Sequence, residues 1–223
     1  MKQLLITAGG TAEKIDQVRS ITNHSTGQLG SLIAEAFLAH GYQVDYLTTH
    51  TALRPVNQDG LALHFIQDTK ELDETLTWLL QQKPYDAVIH SMAVSDFTPA
   101  NSFTLEAFTE KINQQLTKHS APFTKKDVAS LIEQTTAQET ATKISSDTDY
   151  LFLALKKTPK VIKKIKEIQP NTILVSFKLL VNVTQETLFE VAQESMAKNL
   201  GDYVLANDLT SIHGGSHTGY LID

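Results

Sequence analysis

Short apolar runs recur along the chain at Leu4 to Thr7, Val44 to Thr48, Leu61 to Ile66, Ala87 to Ser91, Thr172 to Phe177 and Tyr203 to Leu205, several of them rich in β-branched residues. Runs of this length and content predict strands buried on both faces. Between most of them the apolar positions take a helical spacing. Such stretches are Leu29 to Ala39, closed by the stop signal Gly41, Thr69 to Gln82 ahead of Pro84, and Thr187 to Leu200 ahead of Gly201. The order is β-α-β-α, which implies a mostly parallel sheet covered by helices, with ligand loops at the carboxyl ends of the strands. No internal repeat interrupts it.

The pattern therefore predicts an α/β fold of Rossmann-like type, with helices on both faces of the sheet and one domain over 1–223. Two stretches depart from the rhythm. From Phe97 to Thr142 the chain is rich in Thr, Gln and Lys, has weak apolar periodicity and is broken at Pro122. It is expected to be an insertion or flap at about 97–142, with two surface helices and a loop. His213-Gly214-Gly215-Ser216-His217 followed by Thr218 to Ile222 predicts a turn into a last edge strand or hairpin.

Composition narrows the classes of function. The 223 residues are 41% hydrophobic and 20% charged with a net charge of −6, ordinary for a globular domain and against a broad nucleic-acid footprint. Cysteine is absent, which excludes disulfides, thiolate metal sites and a catalytic thiol, and fits a reducing cytoplasm. The opening Met1 to Ile6 is too short for a signal peptide, and no later run is long enough to span a membrane.

Candidate chemistry collects where strands end. Thr7-Ala8-Gly9-Gly10-Thr11 closes the first strand with paired glycines that let backbone amides approach an anion, or simply form a tight turn. Neither the dinucleotide fingerprint nor the Walker loop matches its spacing. A second loop, Asn23-His24-Ser25-Thr26-Gly27, runs into the helix near Leu29, where Ser25 or Thr26 can cap and free amides can hold an anion. Asp96 follows the fourth strand, as a ligand contact or a structural cap. Arg19 reads as a surface ion-pair residue, His90 as a satisfied core histidine, and Lys156 to Lys166 as the solvated face of a helix. Two histidines, His213 and His217, lack a neighbouring carboxylate for a metal site.

Taken in order, these segments resemble the phosphopantothenate–cysteine ligases of coenzyme A biosynthesis. The resemblance rests on Thr7 to Thr11, Ile15-Asp16-Gln17-Val18-Arg19, Asn23 with Ser25-Thr26-Gly27, Ala93-Val94-Ser95-Asp96-Phe97 with Pro99, Lys143-Ile144, Thr158-Pro159-Lys160, Ser176-Phe177-Lys178-Leu179 and Ala206-Asn207-Asp208. It implies that the carboxylate of 4'-phosphopantothenate attacks the α-phosphorus of CTP or ATP, carried with Mg²⁺, and that L-cysteine then takes the acyl group. Catalytic roles fall on Asn23, which hydrogen-bonds the activated acyl group, and Lys143, which neutralises charge at the acyl phosphate. Nucleotide contacts fall on Gly9, Gly10, Ser25, Thr26, Gly27, Asp96, Phe97 and Phe177, and substrate contacts on Arg19 and Ala93. The metal-binding residues are unknown.

The resemblance has two departures. Bacterial bifunctional members carry a lysine-rich motif after the catalytic lysine and an alanine pair after the phenylalanine, whereas this chain has Ser145-Ser146 and Lys178-Leu179, closer to the eukaryotic form. CTP is expected ahead of ATP. The chain also opens at the ligase segment, so the resemblance implies a monofunctional, cytoplasmic homodimer that binds no flavin, with decarboxylation left to a separate protein. Two other readings stay open: an NAD(P)-dependent reductase, for which Asp45 near the second strand is the remaining support, and a non-catalytic nucleotide-binding or dimerisation module.

Overall fold

In the computed structural model, residues 1–117, 122–135, 148–211 and 218–223 are described. The chain divides into two compact units. Unit 1 holds Met1–Thr11, Asn23–Val94 and Pro159–Asp223; unit 2 holds Ala12–Thr22 and Ser95–Thr158.

Unit 1 is built on a seven-stranded sheet. Its strands are β1 (Gln3–Ala8), β4 (Gln43–Thr48), β5 (Leu61–Phe65), β6 (Ala87–His90), β9 (Ile173–Leu180), β10 (Tyr203–Asp208) and β11 (Tyr220–Ile222), and its helices are α1 (Gln28–Ala39), α2 (Thr69–Gln82), α5 (Val161–Ile168) and α6 (Gln185–Asn199). The order is β11-β10-β9-β6-β1-β4-β5. All neighbours run parallel except β11, which is antiparallel to β10. The expected α/β class, parallel sheet and C-terminal edge strand are all present.

The central strands β1, β4 and β6 bury alternate residues on opposite faces, as the pleat dictates. Leu4, Ile6 and Ala8 of β1 join Val44, Tyr46 and Ile89 under Ala34 and Leu38 of α1. Leu5, Leu47, Val88 and Leu174 point the other way, into a layer made by Leu72, Leu76 and Leu79 of α2 and Val161 and Ile165 of α5. Beside that layer, Leu188 and Ala192 of α6 cover Val204 and Ala206. Gly30 allows α1 its close approach, since a Cβ there would stand 2.4 Å from the Ala8 Cβ.

Unit 2 pairs β2 (Ala12–Lys14) with β3 (Ser20–Thr22) and β7 (Phe97–Thr104) with β8 (Leu151–Lys157), both antiparallel, and adds α3 (Leu105–Leu116) and α4 (Lys125–Gln134). Phe103 stacks on Phe108 and Phe152 at 5.0 and 5.5 Å between ring centroids. Thr124 and Asp127 form a reciprocal capping box that fixes the start of α4.

Several readings change here. The two surface helices of the 97–142 stretch are α3 and α4, but the stretch opens on a long strand. The lysine cluster is divided: Lys156 and Lys157 lie on β8, while Lys163, Lys164 and Lys166 lie on α5. Lys164 and Lys166 are tied to Asp73 and Asp202, each at 2.6 Å, so only part of the cluster is a solvated face. Lys143, Ser145, Ser146 and the His213 to His217 turn lie outside the described residues. No described helix is long and apolar enough to cross a membrane.

Candidate functional site

Strand order reverses at β1: the chain proceeds to β4 on one side and later to β6 on the other. The carboxyl ends of β1 and β6 flank this reversal, the position where open α/β sheets take ligands. Backbone bonds extend the pairing past both strand ends, with Ala93 N donating to Gly9 O at 2.8 Å and Thr11 N to Ala93 O at 3.1 Å.

Asn23 joins this pair. Its Nδ2 donates to the Ala93 carbonyl at 3.4 Å, and its own carbonyl occupies the space that a Cβ on Gly10 would need, 2.6 Å away. The absence of a side chain at Gly10 thus serves a protein contact that sets Asn23. Gly9 and Gly27 serve another. Gly27 adopts φ 77°, and Cβ atoms at Gly9 and Gly27 would stand 2.8 and 3.1 Å from the Ala52 Cβ.

The cap of α1 differs from expectation. Gly27 occupies the cap position, no side chain caps the helix, and the Thr26 hydroxyl accepts only from Gln28 N, at 3.3 Å. Ser25 does not cap. An N-terminus left this way keeps amide donors and the positive end of the helix dipole for an anion. It is held from behind: the Tyr46 hydroxyl donates to Leu53 O at 3.3 Å and Gly27 O at 3.5 Å, and Leu53 N donates to Thr26 O at 2.8 Å. Sequence reading missed this support by Tyr46, Ala52 and Leu53, because a tyrosine inside a strand and a loop after it carry no local sign of such contacts.

Phe177, on β9, is half-buried on the α1 side of the sheet, packed against the Leu4, Ile6 and Ile89 cluster. His90 is buried as expected, its Nδ1 2.8 Å from the Thr7 hydroxyl, and burial pushes its imidazole down to about 4. Asp208 is a structural clamp: it accepts from the Thr210 hydroxyl, Val183 N, Thr210 N and Asn182 N, which hold it far below the usual carboxylate range. Asp45 is likewise engaged. Burial alone would raise its carboxyl, but hydrogen bonds from His64, Lys83 and Tyr85 outweigh that and lower it. In register with Leu5 and pointing into the α2 layer, Asp45 is not at the strand end where a nucleotide ribose would be read.

Within unit 2, Asp96 O accepts from Thr158 N at 3.1 Å where the chain returns from β8. Phe97 opens β7 opposite Lys157 and is 46% exposed. Arg19 ends the turn between β2 and β3 and pairs with Asp16 at 2.6 Å. Among the described residues no group of three His, Cys, Asp or Glu side chains is placed to hold a metal ion.

The reversal of strand order, the paired carboxyl-end loops and the uncapped first helix define unit 1 as a Rossmann-like α/β fold. Residues 1–126 match the DNA/pantothenate metabolism flavoprotein C-terminal domain, and the chain belongs to that family. It is 31% identical over 208 residues to the coenzyme A biosynthesis bifunctional protein CoaBC of Thermococcus kodakarensis, covering 93% of this chain and 41% of that protein. To the CoaBC protein of Bacillus subtilis it is 30% identical over 217 residues, covering 96% and 42%. The chain thus spans less than half the length of these relatives. The crystal structure of the DNA/pantothenate metabolism flavoprotein from Streptococcus pneumoniae superposes with a TM-score of 0.84 at 39% identity, covering 100% of this chain and 89% of that one. The C-terminal domain of a CoaBC protein shares the fold, with a TM-score of 0.63 at 21% identity over 99% of this chain and 80% of that one.

Proposed function

We propose that the chain joins 4'-phosphopantothenate to L-cysteine through an acyl-nucleotidylate. The observation that carries this reading is the convergence of Asn23, the Ala93 carbonyl and the uncapped start of α1 at the reversal of the sheet, in a chain of this family.

In the first step a carboxylate oxygen of phosphopantothenate bonds to the α-phosphorus of CTP and the bond to the β-phosphate breaks, releasing pyrophosphate. A carboxylate is a poor electrophile; the mixed anhydride is a good one. In the second step the cysteine amine bonds to the acyl carbon, loses its proton, and CMP departs. The amides of Gly9, Gly10, Ser25, Thr26 and Gly27 hold phosphate oxygens, aided by the α1 dipole, while Asn23 hydrogen-bonds the acyl group. Lys143 supplies positive charge at the acyl phosphate. Phe177, Asp96 and Phe97 contact the nucleotide, and Arg19 and Ala93 the substrate. Mg²⁺ enters as the counter-ion of the triphosphate, since such ions are bound largely through phosphate oxygens and water.

CTP is the preferred triphosphate and the working form a homodimer. Support for the dimer is the apolar face of β9 to β11 on the α1 side, where Ile173, Leu179 and Leu221 are 46%, 48% and 63% exposed. Light scattering on the eluting protein reads the dimer directly.

The decisive experiment is single-turnover pyrophosphate release. Release is expected with phosphopantothenate and CTP in the absence of cysteine; strict dependence on cysteine contradicts the two-step route, and a kcat/KM for ATP equal to that for CTP contradicts the nucleotide preference. Lys143→Gln should lower turnover by roughly 10²–10³, as for the loss of one electrostatic contact to developing charge.

A further inference from the structure

The turn between β2 and β3 is organised around one carboxylate. Asp16 Oδ1 accepts from two backbone amides, Val18 N and Arg19 N, each at 2.8 Å. That oxygen alone completes the turn. Its other oxygen, Oδ2, accepts from Arg19 Nε at 3.0 Å and Nη2 at 2.6 Å, a fork that the turn does not need. The Arg19 carbonyl is fixed as well, accepting from Ile15 N at 2.9 Å and Asp16 N at 3.3 Å. The residue is thus held at its amide, its carbonyl and one edge of its guanidinium. Lys14 pairs with Ser20 across the flanking strands and closes the frame.

The burial of the two partners is unequal. The Asp16 side chain is 4% exposed and that of Arg19 39%. The carboxylate is sunk into the turn and the guanidinium is its outer, solvent-reaching member. A half-exposed pair three residues apart adds little stability, about 0–1 kcal/mol. A fork of this kind fixes the plane of a guanidinium, and orientation is what bidentate recognition of a carboxylate or phosphate requires.

We propose that Asp16 is the positioning residue of Arg19: it holds the guanidinium in one plane so that Arg19 meets an anionic group of the pantothenate substrate with no conformational search. This rests on the ligase reading for the identity of the substrate. Ordering a free arginine side chain on binding has an entropic cost, which the fork removes beforehand. The Asp16 carboxylate also offsets the positive charge of Arg19. Binding through Arg19 then depends on its direction more than on its charge.

The test is calorimetric binding of 4'-phosphopantothenate, with steady-state KM for that substrate and for CTP, on the wild type, Asp16→Asn, Asp16→Ser and Arg19→Lys. Asn and Ser keep an oxygen acceptor for the turn amides and lose the fork; Lys keeps the charge and loses the plane. Each is expected to raise the Kd and KM for phosphopantothenate about tenfold to a hundredfold, as for the loss of a hydrogen bond to a charged group. The KM for CTP and the melting temperature should stay at wild-type values. In the double variant Asp16→Ser with Arg19→Lys the effects should fall well short of additive. A wild type that binds phosphopantothenate, with Asp16 variants that bind it equally well or weaken CTP to the same extent, overturns the proposal alone. A wild type that binds no phosphopantothenate overturns the ligase reading and this proposal together.

Discussion

At the scale of single residues, the candidate site of unit 1 depends on groups whose value lies in what they leave room for. Gly10 is the sharpest case, because the Asn23 carbonyl stands where its Cβ would be. Backbone cannot yield as a flexible side chain can. Gly10→Ala is expected to displace Asn23 and reduce turnover about tenfold to a hundredfold, on the principle that a misplacement of about 1 Å can cost roughly 10² in rate. Gly41→Ala is the control: Gly41 has φ 77° and nothing within 4 Å of an added Cβ, so its replacement should lower the melting temperature and leave turnover unchanged. Equal turnover in Gly10→Ala and the wild type would show that Asn23 is not set by this contact.

At the scale of elements, α6 ends on an unfavourable residue. Leu200, not Gly201, takes the left-handed position, with φ 56° and ψ 34°. A leucine there costs roughly 1–2 kcal/mol, and the greater freedom of glycine in the unfolded chain takes back about 0.4–1 kcal/mol. Because Leu200 is exposed, Leu200→Gly loses no core contact and should stabilise by about 0.5–1 kcal/mol, raising the melting temperature by roughly 1–4 °C. A lower melting temperature would mean that the leucine makes a contact outweighing its strain.

The same elements show what the sequence made legible. Strands β1, β4 and β6 are short, mostly apolar runs with most of their residues buried, and α2 has the bounds its spacing and the following Pro84 predict. Unit 2 was not legible in this way. Strand β7 contains Pro99 and Asn101, with an irregular register between them, and draws its order from pairing with β8 more than from its own pattern. Strand β8 ends in Lys156 and Lys157, which resemble a helix face when read along the chain. At the site, Asn23 and Ala93 could be named from motif order, but their mutual contact depends on a backbone approach that no side-chain pattern encodes.

At the scale of the whole molecule, acid stability should reflect one buried ring. His90 takes up its proton near 4 in the folded chain, against an ordinary value of 6.5. Its contribution is therefore complete above pH 6.5 and is lost as the pH falls toward 4, a decline of about 3 kcal/mol in all. Asp45 and Asp208, both lowered from 3.8, add their losses only below that window. Urea titrations between pH 7 and pH 4 should show the decline, and His90→Asn should flatten it; an unchanged slope in that variant would assign the acid limb to another group.

The division of the chain into interleaved units has a consequence for its synthesis. Unit 1 opens with the central strand β1 and is completed only by segments after Pro159, with all of unit 2 translated before them. On the ribosome β6 has β1 on one side, while its other edge waits for β9. During that interval Leu5, Val88 and Leu72 lack Val161, Ile165 and Leu174 as neighbours. A bare edge beside an open apolar layer invites pairing with another nascent chain. A fragment stopped at residue 158 should therefore aggregate on release, visible as light scattering, even though it carries Asn23, Ala93 and the uncapped helix. Arrest or slow translation between β6 and β9 would present the same hazard to the intact chain, and a holding chaperone would have its task there.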